Sequence, residues 1–304
     1  MKMQSSDIEI HSIEDIYIGK RIDKVISEIL DIPRNQIQQY IKEGLIRVCD
    51  KTPEKSYKLK KDDCLKITIP PPKELKITPE DAPIRIIYED EWIVVVDKPA
   101  GIVVHPGAAE EKISVVSALL FRDIKLSNIG APLRPGVVHR IDKDTSGIIV
   151  LAKNDKAHFH LANQFFVHSI DRRYIGITAC NMKAASGKIE KAIARHRTNR
   201  KIFSVSENGK PAITHYKVLK KLENMDVVMF KLETGRTHQI RVHMKAIGCP
   251  LLGDAVYGKR SRLIDRQALH AFMLKFKHPF DERIMSFYSK LPEDMKKVIG
   301  GGKS

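Results

Sequence analysis

The stretch His139–Lys153, HRIDKDTSGIIVLAK, joins a charged, turn-forming segment to an apolar run. The run that begins at Gly147 has the length and composition of a buried β-strand. Asp142 stands just before this strand, and the cations Arg140 and Lys143 are expected to keep its carboxylate ionised, because nearby positive charge stabilises an acid's charged form. Such a carboxylate suits a nucleophile or a group that stabilises a cation, although the same residues could form an ordinary loop of solvated ion pairs.

The composition is that of a basic globular chain. Among 304 residues, 53 are lysine or arginine and 37 are aspartate or glutamate, which gives a formal net charge of +16 and an isoelectric point near 9.6. An isoelectric point above about 9 is typical of domains that bind nucleic acid, so a polyanion is the expected partner. An acidic membrane surface is the weaker alternative, because no basic amphipathic stretch of adequate length is present. At this length the chain can form two domains, or one large domain with an appendage.

The sequence shows no signs of secretion, membrane insertion or metal binding. Its first twenty residues are acidic and lack an apolar core, and no run approaches 18 apolar residues, so a cytoplasmic protein without membrane association is expected. The histidines form no H-E-x-x-H motif, which argues against a metal site. The four cysteines are far apart, without a C-x-x-C pair, and are predicted to be reduced thiols: Cys49, Cys64, Cys180 and Cys249.

The proline run at residues 70–72 marks a predicted domain boundary, because consecutive prolines favour an extended, semi-rigid spacer. We therefore predict an N-terminal tail at residues 1–18, a small α/β domain at 19–69, a proline-rich linker at 70–80 and a larger domain at 81–304. In the small domain, apolar spacing and turn residues predict two helices followed by two strands. The helices are expected at residues 22–30 and 34–43, and the strands at 45–48 and 64–69.

The larger domain contains more short β-like runs than helices. Because the strands do not alternate regularly with helices, we predict an α+β fold with a mixed, mainly antiparallel sheet and flanking helices. The strands are expected at residues 84–88, 92–97, 147–153, 173–179, 188–193, 212–219, 227–233, 269–276 and 284–288. The helices are expected at residues 114–120, 155–166 and 237–247, the second capped by Asn154 or Asp155.

Three further clusters are candidates for the site. The first, Asp97–Gly101 followed by His105, is a rigid turn that by itself would more often be a hairpin corner. The second, Arg172-Arg173-Tyr174, could be a sheet aromatic on a basic surface or a platform on which a base stacks. The third is the helix in Glu233–His243, where Arg241 flanks an apolar stripe and needs an anion if it is partly buried. Asp142 is one possible partner, and another acid is the alternative.

Spacing argues against other enzyme classes. His139-Arg140 is similar to the kinase H-R-D loop, but the acid comes one residue late and neither a Gly-rich loop nor D-F-G is present. Ser146 lies in Asp-Thr-Ser-Gly rather than G-x-S-x-G, so a serine hydrolase would lack its nucleophile turn. A glycoside hydrolase would need a second carboxylate at a defined distance, and no acid pair suggests itself.

Taken together, these segments resemble the RluA-type pseudouridine synthases, and most closely the RluD-like branch that acts on large-subunit ribosomal RNA. The resemblance covers about residues 19–295 and rests on four motifs: His139–Gly147, Gly235–His243, Gly248–Asp254 and Arg266–Ala271. The small domain resembles the RNA-binding domain named after ribosomal protein S four. There, Gly19-Lys20-Arg21-Ile22-Asp23 and Lys42–Val48 match the pattern, whereas Asp62-Asp63 stands where Gly-Asp is usual.

The resemblance implies a reaction and roles for individual residues. A pseudouridine synthase cuts the bond between uracil and ribose, turns the base over and joins its carbon five to the sugar, without a cofactor. By resemblance, Asp142 is the catalytic acid, Tyr174 stacks on the flipped uracil and Arg241 keeps the aspartate ionised. Arg140 is expected to reach into the RNA and fill the space that the base leaves. RNA phosphate contacts or loop contacts are expected from Lys98, His105, Arg134 and Arg236, and RNA contacts in the small domain are expected from Arg21 and Arg34.

The expected partner is ribosomal RNA or a ribosome assembly intermediate, bound by a monomer. Transfer RNA is the alternative substrate, and the small domain favours ribosomal RNA by resemblance. A non-catalytic RNA-binding or ribosome-assembly protein is the competing hypothesis. The joint presence of Asp142, Tyr174 and Arg241 argues against it, because binding alone requires none of them.

Overall fold

The chain divides into two units, Met1–Glu74 and Leu75–Ser304, each with a hydrophobic core of its own. In this computed structural model the described residues are 6–10, 13, 15–30, 34–69, 77–106, 112–131, 134–196, 198–199 and 202–301. The proline run of the predicted linker, residues 70–72, lies outside the described residues.

The first unit consists of a three-stranded antiparallel sheet and two helices. The strands are β1 (Ser6–Ile10), β2 (Ile46–Val48) and β3 (Leu65–Ile69), in the order β1-β3-β2, and the helices are α1 (Ile22–Leu30) and α2 (Arg34–Lys42). Ile22, Val25 and Ile26 recur at helical spacing on α1 and are buried in the core of this unit. The tail predicted for residues 1–18 is wrong at Ser6–Ile10, because all five residues pair with the β3 edge that β2 leaves open.

A nine-stranded mixed sheet forms the centre of the second unit. Its order is β4-β5-β6-β13-β7-β12-β11-β8, with β14 also paired to β13, and the separate strands β9 and β10 form a small hairpin. β6 and β13 run parallel, whereas the other paired strands described in this sheet are antiparallel. The predicted α+β fold with a mixed, mainly antiparallel sheet is therefore confirmed. The strands are β4 (Arg85–Glu89), β5 (Ile93–Lys98), β6 (Ser146–Ala152), β7 (Asp171–Ile177), β8 (Ser186–Glu190), β9 (Ile193–Arg195), β10 (Phe203–Val205), β11 (Ile213–Lys221), β12 (Asp226–Leu232), β13 (Leu269–Lys277) and β14 (Ile284–Tyr288).

Helices and loops cover both faces of this sheet, so its central strands are buried on both sides. β6 is the clearest example. All seven residues of β6 are buried, with Ile149 and Leu151 in one core and Ile148 and Val150 in the core on the other face. A strand buried on both faces is apolar throughout rather than alternating. This is why the run after Gly147 predicts a strand.

Four helices lie in the described part of the second unit: α3 (Val115–Phe121), α4 (Asp155–Phe166), α5 (Gln239–Ala246) and α6 (Glu293–Ile299). Ser114 caps α3 and Asn154 caps α4, each by accepting a backbone N–H with its side chain. The first three of these helices agree with the helices predicted from the sequence, whereas α6 was not predicted. This helix is short, and it packs on the sheet with Met295 and Val298.

Gly147 fixes how the loop that contains Asp142 enters β6. Its φ is +111°, and an added Cβ atom would lie 2.2 Å from the backbone oxygen of Ala271 on β13. No other residue type fits such a close approach with this backbone conformation. The parallel pairing of β6 with β13 therefore depends on the glycine that ends the charged segment.

The cysteine prediction is wrong for one pair. Cys180 and Cys249 are joined by a disulfide between residues 69 positions apart, whereas Cys49 and Cys64 are not in a disulfide. Sequence spacing could not show this contact, because Thr178 pairs with Leu251 across a separate β-bridge and so brings the two cysteines together. Among the described residues, no helix is long and apolar enough to cross a membrane.

Candidate active site

Asp142 lies in a tight turn immediately before β6, at the edge of a cavity. The backbone N–H of Thr145 donates to the carbonyl oxygen of Asp142 at 3.1 Å, which closes this turn. The Asp142 side chain keeps 21% of its surface exposed. Its carboxylate therefore faces the cavity, as an acid that acts on a substrate must.

Arg241 on α5 connects Asp142 to a second acid. Its Nη1 donates to Asp142 Oδ2 at 2.9 Å, and its Nε and Nη2 donate to the carboxylate of Asp254 at 2.7 and 2.9 Å. The Arg241 side chain is 7% exposed, and that of Asp254 is fully buried. The fork of the guanidinium thus holds Asp254 with two donors and presents a third to Asp142.

Asp254 anchors this arrangement from the protein interior. Besides Arg241, its carboxylate accepts the backbone N–H groups of Val256 and Tyr257 at 3.0 and 3.1 Å. Burial opposes the charge of Asp254, but these hydrogen bonds and the Arg241 charge outweigh it and lower the pKa of the carboxyl. Burial likewise opposes the charge of Arg241, yet its contacts with Asp254 and Asp142 raise the guanidinium pKa, so the cation persists beside the exposed acid.

His238 precedes α5 and faces the other carboxylate oxygen of Asp142. Its backbone has a left-handed conformation with φ of 57°, and its Nε2 lies 3.8 Å from Asp142 Oδ1. Its Nδ1 is 2.8 Å from the hydroxyl of Tyr257, and burial lowers the pKa of the ring. A neutral ring beside a carboxylate favours the tautomer with the proton on Nε2, so Nδ1 accepts from Tyr257 and the Nε2 proton faces Asp142.

Tyr174 on β7 borders the same cavity. It is 9% exposed, and burial raises the pKa of its phenol, opposed by the charge of Arg172. The cavity has a volume of about 50 Å³, and a second cavity of about 420 Å³ adjoins it through shared lining residues. The shared residues are Arg140, Tyr174, Leu232 and Arg236. The three predicted catalytic residues, Asp142, Tyr174 and Arg241, therefore line one cavity although the sequence separates them widely.

The residues predicted to contact RNA occupy different environments. Arg140 is exposed, Arg236 is half-buried, and both line the two cavities. Arg134 is exposed and lines neither cavity. In the first unit, Arg21 and Arg34 are partly exposed, but both bind the buried carboxylate of Asp23.

The RNA phosphate contact predicted for Lys98 is wrong, because its side chain is fully buried and contacts a loop of the protein instead. Its ammonium group donates to the backbone oxygens of Pro99, Ile102 and Lys143 at 2.7 to 2.8 Å. Burial lowers the pKa of Lys98 to about 7, against the opposing charges of Asp144 and Asp142. Lys98 thus ties the end of β5 to the turn that contains Asp142, and no RNA phosphate can reach it in this structure.

His105 is also buried, at 5% exposure, so the predicted RNA contact is wrong for this residue as well. Its Nδ1 lies 2.8 Å from the oxygen of Pro106 and its Nε2 lies 3.4 Å from Arg140 Nη1. The buried His105 ring therefore contacts the guanidinium of Arg140 from the protein side and helps to position it. Sequence reasoning could not tell such a supporting histidine from an exposed one.

Two residues of the site had no role in the sequence analysis, namely Asp254 and His238. Both lie within motifs that carried the family resemblance, and Asp254 is the other acid that was left open as a partner of Arg241. In the described part of the chain, no three His, Cys, Asp or Glu side chains are grouped as a metal site would require.

Comparison with known proteins shows which families and proteins this chain is similar to. The model of the RNA pseudouridylate synthase family matches residues 92–246. Ribosomal large subunit pseudouridine synthase D of Zymomonas mobilis is 41% identical over 294 residues, which cover 92% of each protein. The protein of the same name from Vibrio vulnificus is 37% identical over 301 residues, which cover 94% of this chain and 91% of the relative.

An uncharacterised RNA pseudouridine synthase of Bacillus subtilis is 41% identical over 283 residues, which cover 92% of this chain and 93% of the relative. Among solved structures, human RNA pseudouridylate synthase domain containing 1 superposes with a TM-score of 0.57 at 23% identity. That superposition covers 73% of this chain and 95% of the human one, and it shows a shared fold.

Proposed function

The chain belongs to the RNA pseudouridylate synthase family, whose members convert uridine in RNA to pseudouridine, and we propose that its substrate is large-subunit (23S) ribosomal RNA. Support comes from the relatives named ribosomal large subunit pseudouridine synthase D, which match more than nine-tenths of the chain. The net charge of +16 fits an RNA substrate.

The observation that carries the proposal is the chain of contacts from Asp254 through Arg241 to Asp142. The reaction breaks the bond between N1 of uracil and C1′ of ribose and forms a bond between C5 and C1′. C5 then loses its proton and N1 gains one, so substrate and product are isomers and no redox cofactor is needed. Positive charge develops at C1′ when the base leaves, and an ionised carboxylate held by Arg241 can stabilise or capture it.

We assign the other residues of the cavity by their positions. Tyr174 offers an aromatic surface on which a flipped uracil can stack, because its side chain borders the cavity that Asp142 lines. Arg140 is exposed at the mouth of both cavities, where it can enter the RNA and fill the space left by the extruded base. His238 has its Nε2 3.8 Å from Asp142 Oδ1, so it lies beside the carboxylate but beyond hydrogen-bond distance.

We further propose that the first unit binds RNA backbone, as its resemblance to the ribosomal-protein-S-four type implies. The exposed cations Lys20, Lys24, Lys42 and Arg47 support this assignment, together with Arg21 and Arg34. On this proposal, the chain acts as a cytoplasmic monomer on ribosomal RNA or on an assembly intermediate, and the boundaries inferred from sequence separate an RNA-binding domain from the catalytic domain.

Mapping of pseudouridines in cellular RNA tests the substrate. Cells that lack the gene should lose pseudouridine at one or more positions of 23S ribosomal RNA, and the wild-type gene should restore it. The Asp142→Asn gene should not restore it, whereas Asp171→Asn, which alters a half-buried acid paired with Arg173 outside the cavity of Asp142, should. Loss of pseudouridine from transfer RNA alone would overturn the ribosomal assignment and leave the activity in place.

A further inference from the structure

Arg172 on β7 is a buried cation with few partners. It is 7% exposed, and its Nη2 donates to the backbone oxygen of Glu233 at 3.2 Å. Its Nε is buried and has no hydrogen-bond partner within the described residues. A guanidinium carries five N–H donors and stays charged, so its burial without an anion is costly. Burial lowers the pKa of Arg172, and the charge of Tyr174 acts in the opposite direction. The lowered pKa is consistent with a buried cation that has no anionic partner in the chain.

The acids nearest to Arg172 in the sequence and in the sheet have other partners. Asp171 binds Arg173 at 2.9 Å, and the carboxylate of Glu233 lies 2.5 Å from His215 Nε2. In the part of the chain that the structure describes, no salt bridge to Arg172 is present. The positive charge of Arg172 is therefore available to pair with an anionic ligand.

The guanidinium of Arg172 lines the cavity of about 420 Å³ that adjoins the Asp142 cavity. Gly235 makes room for it there, because a Cβ atom on Gly235 would lie 2.4 Å from Arg172 Nη1. Its Cζ lies 5.5 Å from the ring centroid of Phe165, which also lines the cavity. The guanidinium of Arg172 therefore lies in the wall of this cavity, between Gly235 and Phe165, and does not extend into bulk solvent.

The charge balance of the cavity favours an anion. Its described lining contains three arginines and two histidines but neither aspartate nor glutamate. One histidine, His139, accepts the backbone N–H of Val150 on Nε2, and burial together with the Arg172 charge lowers its pKa to about 3. His139 is therefore neutral near pH 7, and the arginines supply the positive charge.

We propose that this cavity binds the phosphodiester group of a nucleotide that flanks the target uridine, with Arg172 as its buried cation. The inference rests on the proposed function, because the cavity shares Arg140, Tyr174 and Arg236 with the cavity of Asp142. A phosphodiester supplies the missing charge and two oxygens that suit a guanidinium fork. Phe166, which is 81% exposed, offers aromatic surface for the attached base. The cavity volume lies in the range of about 300–1,000 Å³ that is typical of ligand sites.

The test uses the full chain and a stem-loop RNA that contains the uridine identified by mapping. Wild-type turnover of the unmodified stem-loop comes first, since its absence would count against the proposed function and not against this site. Binding is then measured in the Asp142→Asn background, which prevents turnover. The RNAs form a series in which each carries one neutral methylphosphonate linkage within two nucleotides of the target.

One of these neutral linkages should weaken binding by about tenfold, the loss expected for one hydrogen bond to a charged group. With Arg172→Gln added, the protein should bind the neutral and the charged linkage about equally, because the cation that distinguishes them is gone. If both proteins lose affinity by the same factor at every linkage, or if no linkage matters, the site assignment is overturned.

Arg173→Gln is the matched control, because Arg173 is the next residue of the same strand but is partly exposed and paired with Asp171. It should discriminate between the two linkages as the parent protein does, and loss of discrimination here would also overturn the proposal. Arg172→Lys covers the case in which Arg172→Gln does not fold. This variant keeps a cation and should retain part of the discrimination, and complete loss in a folded Arg172→Lys protein would contradict the proposal.

Discussion

Two aspartates, Asp23 in the first unit and Asp142 in the second, both bind arginine, but they differ in how completely they are bound. Asp23 is fully buried and accepts hydrogen bonds from Arg21, Arg34 and Gln38 at 2.6 to 3.1 Å. Asp142 keeps 21% of its side chain exposed and accepts one hydrogen bond from Arg241.

The difference separates an acid that stabilises a fold from one that can act on a substrate. Asp23 accepts hydrogen bonds from three side chains of its own unit and is fully buried, so a ligand cannot reach it. In the second unit, Asp254 accepts two of the hydrogen bonds of Arg241 and so holds this arginine from the protein interior. Asp142 therefore has a cation beside it and keeps part of its carboxylate accessible to the cavity. A reactive carboxylate must keep some of its hydrogen-bonding capacity for the substrate. Asp142 can do so because Asp254 fixes the position of Arg241.

The largest effect is expected from a substitution of Asp142, the reactive acid of this comparison. Asp142→Asn should lower the single-turnover rate of pseudouridine formation by about 10⁴-fold or more, because the variant cannot stabilise positive charge at C1′. Its thermal midpoint should change little, since Arg241 keeps both hydrogen bonds to Asp254. A rate within about tenfold of the wild type would remove Asp142 from the chemistry.

Arg241→Lys tests whether the fork geometry, and not only the charge, is needed. Lysine keeps the positive charge but cannot hold Asp254 with two donors and reach Asp142 with a third, so the rate should fall by about 10²–10³-fold. The measurement is single-turnover kinetics with large-subunit RNA. Arg173→Lys, at the partly exposed pair with Asp171, is the control and should be close to the wild type. Equal rates for the two variants would show that charge alone suffices.

Acid titration tests the structural side of the comparison. Burial opposes ionisation of Asp23, but its hydrogen bonds to Arg21, Gln38 and Arg34 lower its pKa from 3.8 to about 2. A folded pKa below the unfolded value means that the stabilisation is complete above about pH 5 and is lost as the pH falls through 2, by about 2 kcal/mol. Hydrogen exchange of α1 amides should follow this loss. In Asp23→Asn, a remaining titration step of the same size between pH 4 and 2 would contradict the assignment.

The smallest expected effect concerns His238, the histidine beside Asp142. His238→Asn keeps a residue that tolerates the left-handed backbone but removes the ring whose Nε2 lies 3.8 Å from Asp142 Oδ1. The rate should fall by about tenfold or less, because no hydrogen bond to Asp142 is lost. Because burial lowers the pKa of His238, any inflection that this ring contributes to the wild-type rate should lie below pH 6.5, the ordinary histidine pKa. An inflection at or above pH 6.5 that is present in the wild type and absent from His238→Asn would contradict a neutral ring.

The sequence predicted most of the second unit because its signals are local. Apolar runs such as Ile148–Leu151 and capping residues such as Ser114 and Asn154 determine strands and helices within a few residues of themselves. β1 was missed because its pairing with β3 spans more than fifty residues. The disulfide between Cys180 and Cys249 was missed for the same reason, since no short-range pattern marks a contact between distant segments.

The sequence by itself determined the charged turn before β6, the α+β architecture and the basic character of the chain, because each follows from residue type and short-range spacing. Only the tertiary structure decided that Arg241 serves both Asp142 and Asp254, that Lys98 is buried, and that Arg172 lines a cavity without an acid. Burial and pairing of charges depend on which distant segments meet. Whether a cation binds RNA, supports a loop or anchors a carboxylate is therefore a property of the folded molecule.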